Sequence, residues 1–598
     1  MAPTLRARLV PVLCVLTYLV VGAAYVSAVP PWEAPDEPWH MAYAEVVASG
    51  RAPTLEDTYE AHQPPLAYVW LAWWLRLLDL DQLPRAPDNP WYPYAVSATW
   101  HVPGDPAVAW LRLLRTVAAL PAAVVVALTW AAARVMAPRA AAPAAVAGML
   151  AALWPQFVFI SHAVNNDGWA VLCGSLLIYG VVAWTSGTGP LPRVAAALGL
   201  GAAMAPLIKL NVLAVVAAVP LAAVAVWASP SPAAGARLRW VWVPLAAVAL
   251  GLAAAVLGLH AMWPATLALM AGEAATRGLV VDPALADPPL LLARLVALGE
   301  SAWARFGWLN VDLPRGLRWA SMAVLGASAL GFARAWPGLP VPRRLAAAVV
   351  AATVGLAIAA AVKNLLVDPQ PQGRLLFPAF SAMVLVVGVG AMAIVPARLR
   401  SGLAVCAAAV LLAVNAWVVT RLLPPAYEPA RGPLPAIDVR IVPPQPVIVA
   451  TLGRDVPAVR QTFRATRPGL RQAAVAAAGA AGPGDVRVLL WEGDRLVAHS
   501  SAAVAGLQGQ PYTWLGVDME PVAESSGRTY ALELRVLRAG PGTRLDVWGG
   551  RGGVYPDGEL ALAAPAGTRG PGASTTAPTS WVWLGGGGLD AVLVTAVR

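Results

Sequence analysis

The run LVPVLCVLTYLVVGAAYVSAV, residues 9–29, decides the fold class, because it carries no charged residue and is long enough to cross a bilayer. Similar runs recur along the chain, of which 59% is hydrophobic and only 12% is charged. Soluble domains do not have this composition. The sequence therefore predicts a polytopic membrane protein. The first run ends in Val-Ser-Ala-Val-Pro-Pro, an ending that a cleaved signal peptide could also have. The many later spans favour a helix that is retained in the membrane.

Eleven membrane spans are predicted from the apolar runs, each roughly long enough for the ~30 Å hydrocarbon core of a bilayer. They lie near residues 9–29, 111–133, 141–160, 168–186, 194–207, 211–228, 240–260, 317–335, 345–366, 375–396 and 402–422. Arginines fall in alternate short loops, as Arg6, Arg134, Arg193, Arg237 and Arg343 illustrate. The positive-inside rule places those loops in the cytoplasm, so a bacterial plasma membrane protein with a cytoplasmic N-terminus is expected.

The same alternation predicts two large outer loops, residues 30–110 and 261–316. Within the first, Pro38 to Ser49 and Pro64 to Leu80 have helical periodicity but are too short to span. We expect these two segments to be interfacial helices on the outer leaflet.

After Pro424 the sequence pattern changes to short runs in which apolar and polar residues alternate, separated by Gly, Pro and Ser. This pattern is typical of an antiparallel β-sandwich. The predicted fold is thus an all-α polytopic membrane domain, residues 1–422, followed by an extracytoplasmic β-sandwich, residues 423–598.

The positions of the cysteines and arginines argue against cysteine-based sites and against nucleic-acid binding. Cys14, Cys173 and Cys406 all lie in hydrophobic runs, so neither a disulfide nor a thiolate metal site is expected. The net charge is +10, but the arginines are spread over short loops and form no single basic face. A nucleic-acid partner is therefore not expected.

Polar side chains cluster on the predicted outer side, where charged groups at a membrane boundary are costly unless they face water or each other. The candidate site residues are Asp36, Glu37, His40, His62, Asn166, Asp167, Lys209, Arg305, Trp308, Gln372 and Arg374. These types suit transfer of a sugar from a lipid phosphate: Asp36 would deprotonate an acceptor hydroxyl. Arg374 suits bidentate phosphate binding, and Lys209 would act as a point charge.

Each cluster also has a structural interpretation. Asp36 and Glu37 precede a proline and could simply begin a helix, Asn166 could cap one, and Arg374 could snorkel from the start of a span. Their convergence on one face favours a site. Two other classes of function stay open, a transporter or flippase of lipid-linked sugars and a non-catalytic glycan-binding envelope protein. Transporters, however, usually place polar groups at the bilayer midplane.

Six segments carry a resemblance to a known family: APDEPWHMAYA, HQPPLAY, NNDGWAVL, LIKLN, SAWARFGWLNVDLP and QPQGRLLFPAF. In this order they are similar to a family of bacterial membrane proteins of unknown function. That family resembles the GT-C superfamily of multispanning glycosyltransferases, which includes protein O-mannosyltransferases, the aminoarabinose transferase of lipid A and the mycobacterial arabinofuranosyltransferases. The resemblance covers about residues 8–422.

The resemblance implies a GT-C fold that takes a sugar from a polyprenyl-phosphate donor to a cell-envelope glycan, lipid or protein. It implies that Asp36 is the general base, with Glu37 beside it. Some GT-C enzymes use a divalent cation such as Mg²⁺ or Mn²⁺, and Asp36, Glu37 and Asp167 could hold one. Others need no metal, and the sequence does not decide between them.

The predicted β-domain resembles the carbohydrate-binding modules appended to arabinofuranosyltransferases. Aromatic side chains on such a sandwich could stack on sugars, and the candidates are Trp491, Trp514, Trp548, Tyr555, Trp581 and Trp583. The Arg-rich, Lys-poor composition suggests an actinobacterial source, and a role in cell-wall biogenesis follows from the resemblance.

Overall fold

The computed structural model describes residues 3–598 except 81, 90–95, 102–103, 105–106, 139–140, 229–233, 279–287, 368–370, 429–435, 442–446, 505–512, 552–558, 564–580, 584–588, 592 and 598. The chain divides into two compact units. The first comprises Met1–Arg85 and Gly104–Pro429, and the second comprises Ala86–Pro103 and Ala430–Arg598.

The first unit is helical. Its α-helices are α1 (Pro3–Ala28), α2 (Glu37–Ala48), α3 (Leu66–Leu77), α4 (Ala107–Met136), α5 (Ala141–Leu153), α6 (Pro155–Ser161), α7 (Asp167–Thr185), α8 (Leu191–Ile208), α9 (Leu213–Val216), α10 (Ala218–Ala228), α11 (Ala234–Met262), α12 (Pro264–Gly278), α13 (Pro288–Trp303), α14 (Arg315–Ala335), α15 (Val341–Leu365), α16 (Phe380–Ile394), α17 (Arg400–Trp417) and α18 (Leu423–Tyr427). Short 3₁₀ segments include Tyr59–His62, Leu210–Val212 and Gly373–Ala379. A two-stranded hairpin pairs β1 (Arg305–Phe306) with β2 (Val311–Asp312). Helices α2 and α3 confirm the two short helices predicted within residues 30–110.

Nine helices in the described part of the chain are long and apolar enough to cross a membrane, or ten if the bent pair α5 and α6 is one span. Ten of the eleven predicted membrane spans are therefore matched if the bent pair counts as one span, and one predicted span is not. Residues 317–335 do form a helix, α14, but it is not among those that qualify. Arg315, Arg318 and Arg334 lie at its two ends and shorten its apolar stretch.

The span predicted at 141–160 is broken, because α5 and α6 meet at an angle of 51°. Pro155 has no amide hydrogen and disfavours helical geometry at the residue before it, and Trp154 is accordingly extended. Asn415 Nδ2 donates to the carbonyl of Leu153 over 2.9 Å. Trp154 Nε1 donates to the carbonyl of Ala302 over 2.7 Å. The break is thus stabilised from two other parts of the bundle.

Two glycines fix the 3₁₀ segment Gly373–Ala379 against the bundle. A Cβ on Gly373 would lie 2.0 Å from the backbone nitrogen of Ala302, and one on Gly174 of α7 would lie 1.8 Å from the carbonyl oxygen of Pro378. Neither approach leaves room for a side chain. The backbone of this segment is therefore held tightly, and it carries Arg374.

The second unit is built of antiparallel strands. They are β3 (Ala436–Ile441), β4 (Val447–Leu452), β5 (Ala458–Arg464), β6 (Leu470–Ala481), β7 (Asp485–Glu492), β8 (Arg495–Ala503), β9 (Thr513–Val522), β10 (Thr529–Leu537), β11 (Arg544–Arg551), β12 (Leu560–Ala563), β13 (Trp581–Trp583), β14 (Leu589–Ala591) and β15 (Leu593–Val597). One sheet has the order β13-β12-β5-β10-β7-β8, and the other β14-β11-β6-β15-β3, with β4 on β11 and β9 on β6. Buried side chains of both sheets share one core, for example Leu534, Val488, Val475 and Val547. This arrangement confirms the predicted β-sandwich.

Candidate active site

Asp36 begins helix α2 in a left-handed backbone conformation, with φ of 62°. Asp tolerates this region better than most residues. Its carbonyl accepts hydrogen bonds from the amides of Trp39, over 3.1 Å, and His40, over 3.0 Å. The adjacent carboxylates of Asp36 and Glu37 have separate partners. Asp36 joins a cluster of charged side chains, and Glu37 is held in a different network.

Glu37 is fully buried and pairs with Arg115 of α4. Arg115 Nε donates to Oε1 over 2.8 Å and Nη2 donates to Oε2 over 2.6 Å. The amides of Trp32 and Val164 also donate to this carboxylate, each over 3.1 Å. Arg115 additionally donates to the carbonyls of Val29 and Pro30, just beyond the end of α1. The pair therefore ties three segments together around the Asp36 turn.

Two cations and two carboxylates form the charged cluster. Arg374 donates through Nη2 to Asp36 Oδ2 and lies 3.5 Å from Asp167 Oδ2 through Nη1. Lys209, in the break that follows α8, donates to Asp167 Oδ1 over 2.6 Å. Gln372 accepts from Arg374 Nε over 2.8 Å. Each of these side chains stands at or near the end of an apolar span, so the cluster lies at one end of the bundle.

An amide and two rings extend this cluster. Asn166 accepts from Lys209 Nζ over 3.1 Å, and its Nδ2 donates to Gln63 Oε1 over 3.1 Å and to the hydroxyl of Tyr68 over 3.3 Å. Tyr68 is in turn 2.8 Å from Nδ1 of His40. These contacts fix the imidazole of His40 beside Asp36.

The electrostatic field of the cluster sets two pKa values. Burial alone would raise the pKa of Asp36, but the charge and hydrogen bond of Arg374 and the charge of Lys209 oppose burial, and that pKa lies below the usual 3.8. Burial lowers the pKa of His40 below its usual 6.5, although Glu60 and Asp36 oppose the shift. At neutral pH Asp36 is therefore ionised and His40 is neutral.

Asp36, His40 and Glu60 form the one group of metal-type ligands found in the described residues, with ligand atoms within 4.8 Å of one another. The set predicted from the sequence was different. Glu37 forms an ion pair with Arg115, and Asp167 forms one with Lys209. The structure places His40 and Glu60 near Asp36 instead. Carboxylate and imidazole donors suit a divalent cation, and in the tautomer of His40 that carries its proton on Nδ1 and donates it to the hydroxyl of Tyr68, Nε2 has a lone pair for an ion.

The remaining predicted residues are more dispersed. Nδ1 of His62 lies 2.9 Å from the carbonyl oxygen of Tyr59, and its Nε2 lies 3.1 Å from the side-chain nitrogen of Gln63. Arg305 pairs with Asp312 across the β1–β2 hairpin over 2.9 Å. Trp308, at the tip of that hairpin, packs edge-on against Trp39, with ring centroids 5.6 Å apart.

Three residues of the site were missed by sequence reasoning, namely Glu60, Tyr68 and Arg115. Arg115 had a usable signal, because an ionisable residue inside a predicted span is a marker of function or of a buried pair. Glu60 and Tyr68 stand next to HQPP, but nothing in their spacing pointed to Asp36.

Chemically, the cluster offers an ionised carboxylate whose partner is a guanidinium. An incoming anion could bind to the guanidinium of Arg374 and the ammonium of Lys209. The carboxylate of Asp36 would then lose its ion-pair partner and could accept a proton. The position at the end of apolar spans suits an anion carried on a lipid.

Comparisons with known proteins give weak structural likenesses. ArnT from Cupriavidus metallidurans bound to undecaprenyl phosphate aligns at 16% identity and a TM-score of 0.42, over 70% of this chain and 65% of that one. The apo oligosaccharyltransferase of Archaeoglobus fulgidus aligns at 14% identity and a TM-score of 0.34, over 70% of this chain and 56% of that one. The alignment thus spans less than two thirds of either solved chain. No family model and no curated protein matches the sequence.

Proposed function

We propose that this chain is an integral membrane glycosyltransferase of the GT-C type that moves a sugar from a polyprenyl-phosphate donor to an acceptor hydroxyl. The observation that carries the proposal is the meeting of Asp36, Lys209 and Arg374 at the ends of apolar spans. These residues come from three distant parts of the chain. A carboxylate base and two phosphate-binding cations are the parts that such a transfer needs.

In the proposed mechanism, the donor phosphate enters the cluster and is bound by Arg374 and Lys209. Arg374 is thereby drawn from Asp36, which then accepts the proton of the acceptor hydroxyl. The acceptor oxygen bonds to the anomeric carbon as the bond from that carbon to the phosphate oxygen breaks. The leaving phosphate takes the electron pair, and the two cations stabilise its charge.

The surrounding residues would hold the base in place. His40, fixed by Tyr68, would orient the Asp36 carboxylate, and Asn166 would keep Lys209 directed at the phosphate. Glu37 is assigned a positioning role, since its carboxylate accepts hydrogen bonds from Arg115 and from the amides of Trp32 and Val164.

A divalent cation fits the group Asp36, His40 and Glu60, and Mg²⁺ or Mn²⁺ are the candidates. A bound cation would supply positive charge for the departing phosphate. The chain's own part would be to hold that ion on the two carboxylates and the imidazole.

We also propose the orientation that the arginine pattern predicts, with the N-terminus in the cytoplasm and with the site and the second unit of antiparallel strands (the β-unit) outside a bacterial plasma membrane. The acceptor would then be an envelope component. Binding of glycan by the β-unit and an actinobacterial source belong to the same proposal.

Substitution of Lys209 tests the donor site. Lys209→Met is expected to raise the KM for a labelled polyprenyl-phosphate sugar by roughly ten- to a hundredfold, because a charge-assisted contact to the phosphate is lost. Lys209→Arg keeps the charge and should recover much of the loss. Initial rates of label transfer by protein in lipid nanodiscs measure both. An unchanged KM in Lys209→Met would remove this residue from the donor site.

The pH dependence tests the release of Asp36. Activity falls as the pH drops through the pKa of the base, because protonated Asp36 cannot accept the hydroxyl proton. In the free protein Arg374 keeps the pKa of Asp36 below 3.8. A bound phosphate would pair with Arg374 in place of Asp36, and the pKa of Asp36 would rise. The acidic limb of kcat should therefore lie at higher pH than the acidic limb of kcat/KM. Coincident limbs would contradict the proposed exchange of partners.

A further inference from the structure

An aromatic platform borders the charged cluster and is not used by the proposed donor chemistry. Trp39, Tyr59 and Trp308 come from α2, from the 3₁₀ segment Tyr59–His62 and from the β1–β2 hairpin. The ring of Trp39 lies 5.9 Å from that of Tyr59 and 5.6 Å from that of Trp308. Trp39 is 41% exposed and Tyr59 is 55% exposed. Large aromatic surfaces left open beside a reactive group are typical of ligand-binding sites.

The platform is joined directly to the site residues. Trp39 donates its amide hydrogen to the carbonyl of Asp36 and precedes His40, which is buried. Tyr59 precedes Glu60, whose carboxylate lies within 4.8 Å of the ligand atoms of Asp36 and His40. Thr58 Oγ1 donates to the carbonyl of Trp39 over 2.8 Å and so fixes the two segments together. A molecule resting on the rings would thus lie on the two segments that carry Asp36, His40 and Glu60.

Trp308 is presented by a strained turn. Gly307 and Leu309, on either side of it, both have left-handed backbones, with φ of 60° and 64°. A bulky residue such as Leu rarely adopts this conformation, and strain of this kind is concentrated at functional sites. The Arg305–Asp312 ion pair and the bond from the amide of Asn310 to the carbonyl of Phe306 close the turn.

The platform differs from an ordinary interfacial belt. Trp70, Trp73 and Trp74 are neighbours on α3 and pack on one another, and Trp70 also packs edge-on against Trp169 of α7, as belt residues on an amphipathic helix would. The platform instead assembles rings from three separate segments, two of which also carry residues of the site.

We propose that Trp39, Tyr59 and Trp308 form an acceptor subsite that stacks on a sugar ring, so that the acceptor is a glycan. This inference rests on the proposed function. The CH face of a sugar packs on aromatic rings, and its hydroxyls remain free to bond at the rim. The carboxylates of Asp36 and Glu60, which belong to the segments that also carry Trp39 and Tyr59, can accept hydrogen bonds from the hydroxyls of a neutral sugar.

Acceptor kinetics test the subsite. Protein in nanodiscs is given labelled polyprenyl-phosphate sugars with a panel of methyl glycosides and envelope oligosaccharides, a Ser/Thr peptide or phosphatidylethanolamine. Trp39→Ala is expected to raise the KM for the saccharide roughly three- to tenfold, and Trp39→Phe should recover most of it. Transfer of label to water, measured without acceptor, should not change. The control Trp73→Ala removes an aromatic that is 52% exposed and belongs to the belt.

Two results would overturn the subsite while leaving the transferase intact: preferred transfer to the peptide or the phospholipid, or an unchanged saccharide KM in Trp39→Ala. If label leaves the donor neither for water nor for any acceptor, the proposed function itself fails. Oxidative footprinting tests the subsite without turnover. The saccharides should then protect Trp39 and Tyr59 from oxidation but not Trp110, which is also 41% exposed, and equal oxidation with and without them would overturn the proposal.

Discussion

Asp36→Asn is expected to lower the rate of sugar transfer by about 10²- to 10⁴-fold, the usual contribution of a positioned general base. The amide has nearly the shape of the carboxylate and its oxygen can still accept a hydrogen bond from Arg374. It cannot take a proton from the acceptor hydroxyl. The loss should therefore appear in kcat, with a much smaller effect on the KM for the donor. Single-turnover transfer of label from a polyprenyl-phosphate sugar measures it.

A matched control is available in the same region of the chain. Asp57 pairs with Arg51 over 2.9 Å, outside the charged cluster, so Asp57→Asn makes the same chemical change in another Asp–Arg pair. We expect that variant to transfer sugar at close to the original rate. Equal transfer by Asp36→Asn and the unaltered protein would remove Asp36 from the mechanism.

Breaking the Glu37–Arg115 pair should give the largest loss of stability. Glu37→Leu leaves the guanidinium of Arg115 buried and without its counter-charge, and removal of one partner of a buried ion pair typically costs about 3–5 kcal/mol. It also leaves the amides of Trp32 and Val164 without an acceptor. The apparent unfolding temperature in one detergent is expected to fall markedly. The effect follows from burial, since both side chains are almost fully enclosed.

The double variant Glu37→Leu/Arg115→Met separates charge from packing. It removes the unpaired cation, and it should therefore unfold at a higher temperature than Glu37→Leu alone. If the double variant were less stable than both single variants, by the sum of their losses, the two side chains would not act as a pair. The role assigned to Glu37 would then need to be abandoned.

The position of the site residues on one side of the bundle could be predicted, because the order of the spans places their ends there. Asp36, Asn166, Lys209 and Arg374 were each assigned to span ends on the same predicted side, and the structure brings all four together. Hydropathy locates the ends of spans well, since a run of apolar residues has to end where charged residues begin.

The sequence could not predict that Asp36 would join the charged cluster while its neighbour Glu37 pairs with Arg115. This difference depends on the left-handed backbone of Asp36, and Asp in a DEP sequence is compatible with several backbone conformations. Glu60 was missed for a related reason. Its approach to Asp36 and His40 is set by the tertiary contact of the 3₁₀ segment with α2, which has no periodic signal in the sequence.

The number of spans is the point at which the fold prediction and the structure differ. The α14 segment is long enough to cross a bilayer, but its terminal arginines reduce its apolar length. The break at Trp154 was missed because the proline lies within an otherwise continuous apolar run. Such a break becomes stable only when distant partners, here Asn415 and Ala302, satisfy the polar groups that it frees or exposes.

The central claim is that the protein transfers a sugar from a lipid phosphate. The most direct measurement offers purified protein in lipid nanodiscs a panel of labelled polyprenyl-phosphate sugars with envelope glycan extracts as acceptors. We predict that label moves to the glycan while free polyprenyl phosphate accumulates in equal amount. Donor that binds but is never cleaved, across the whole panel, would contradict the claim and favour a flippase or a glycan-binding protein.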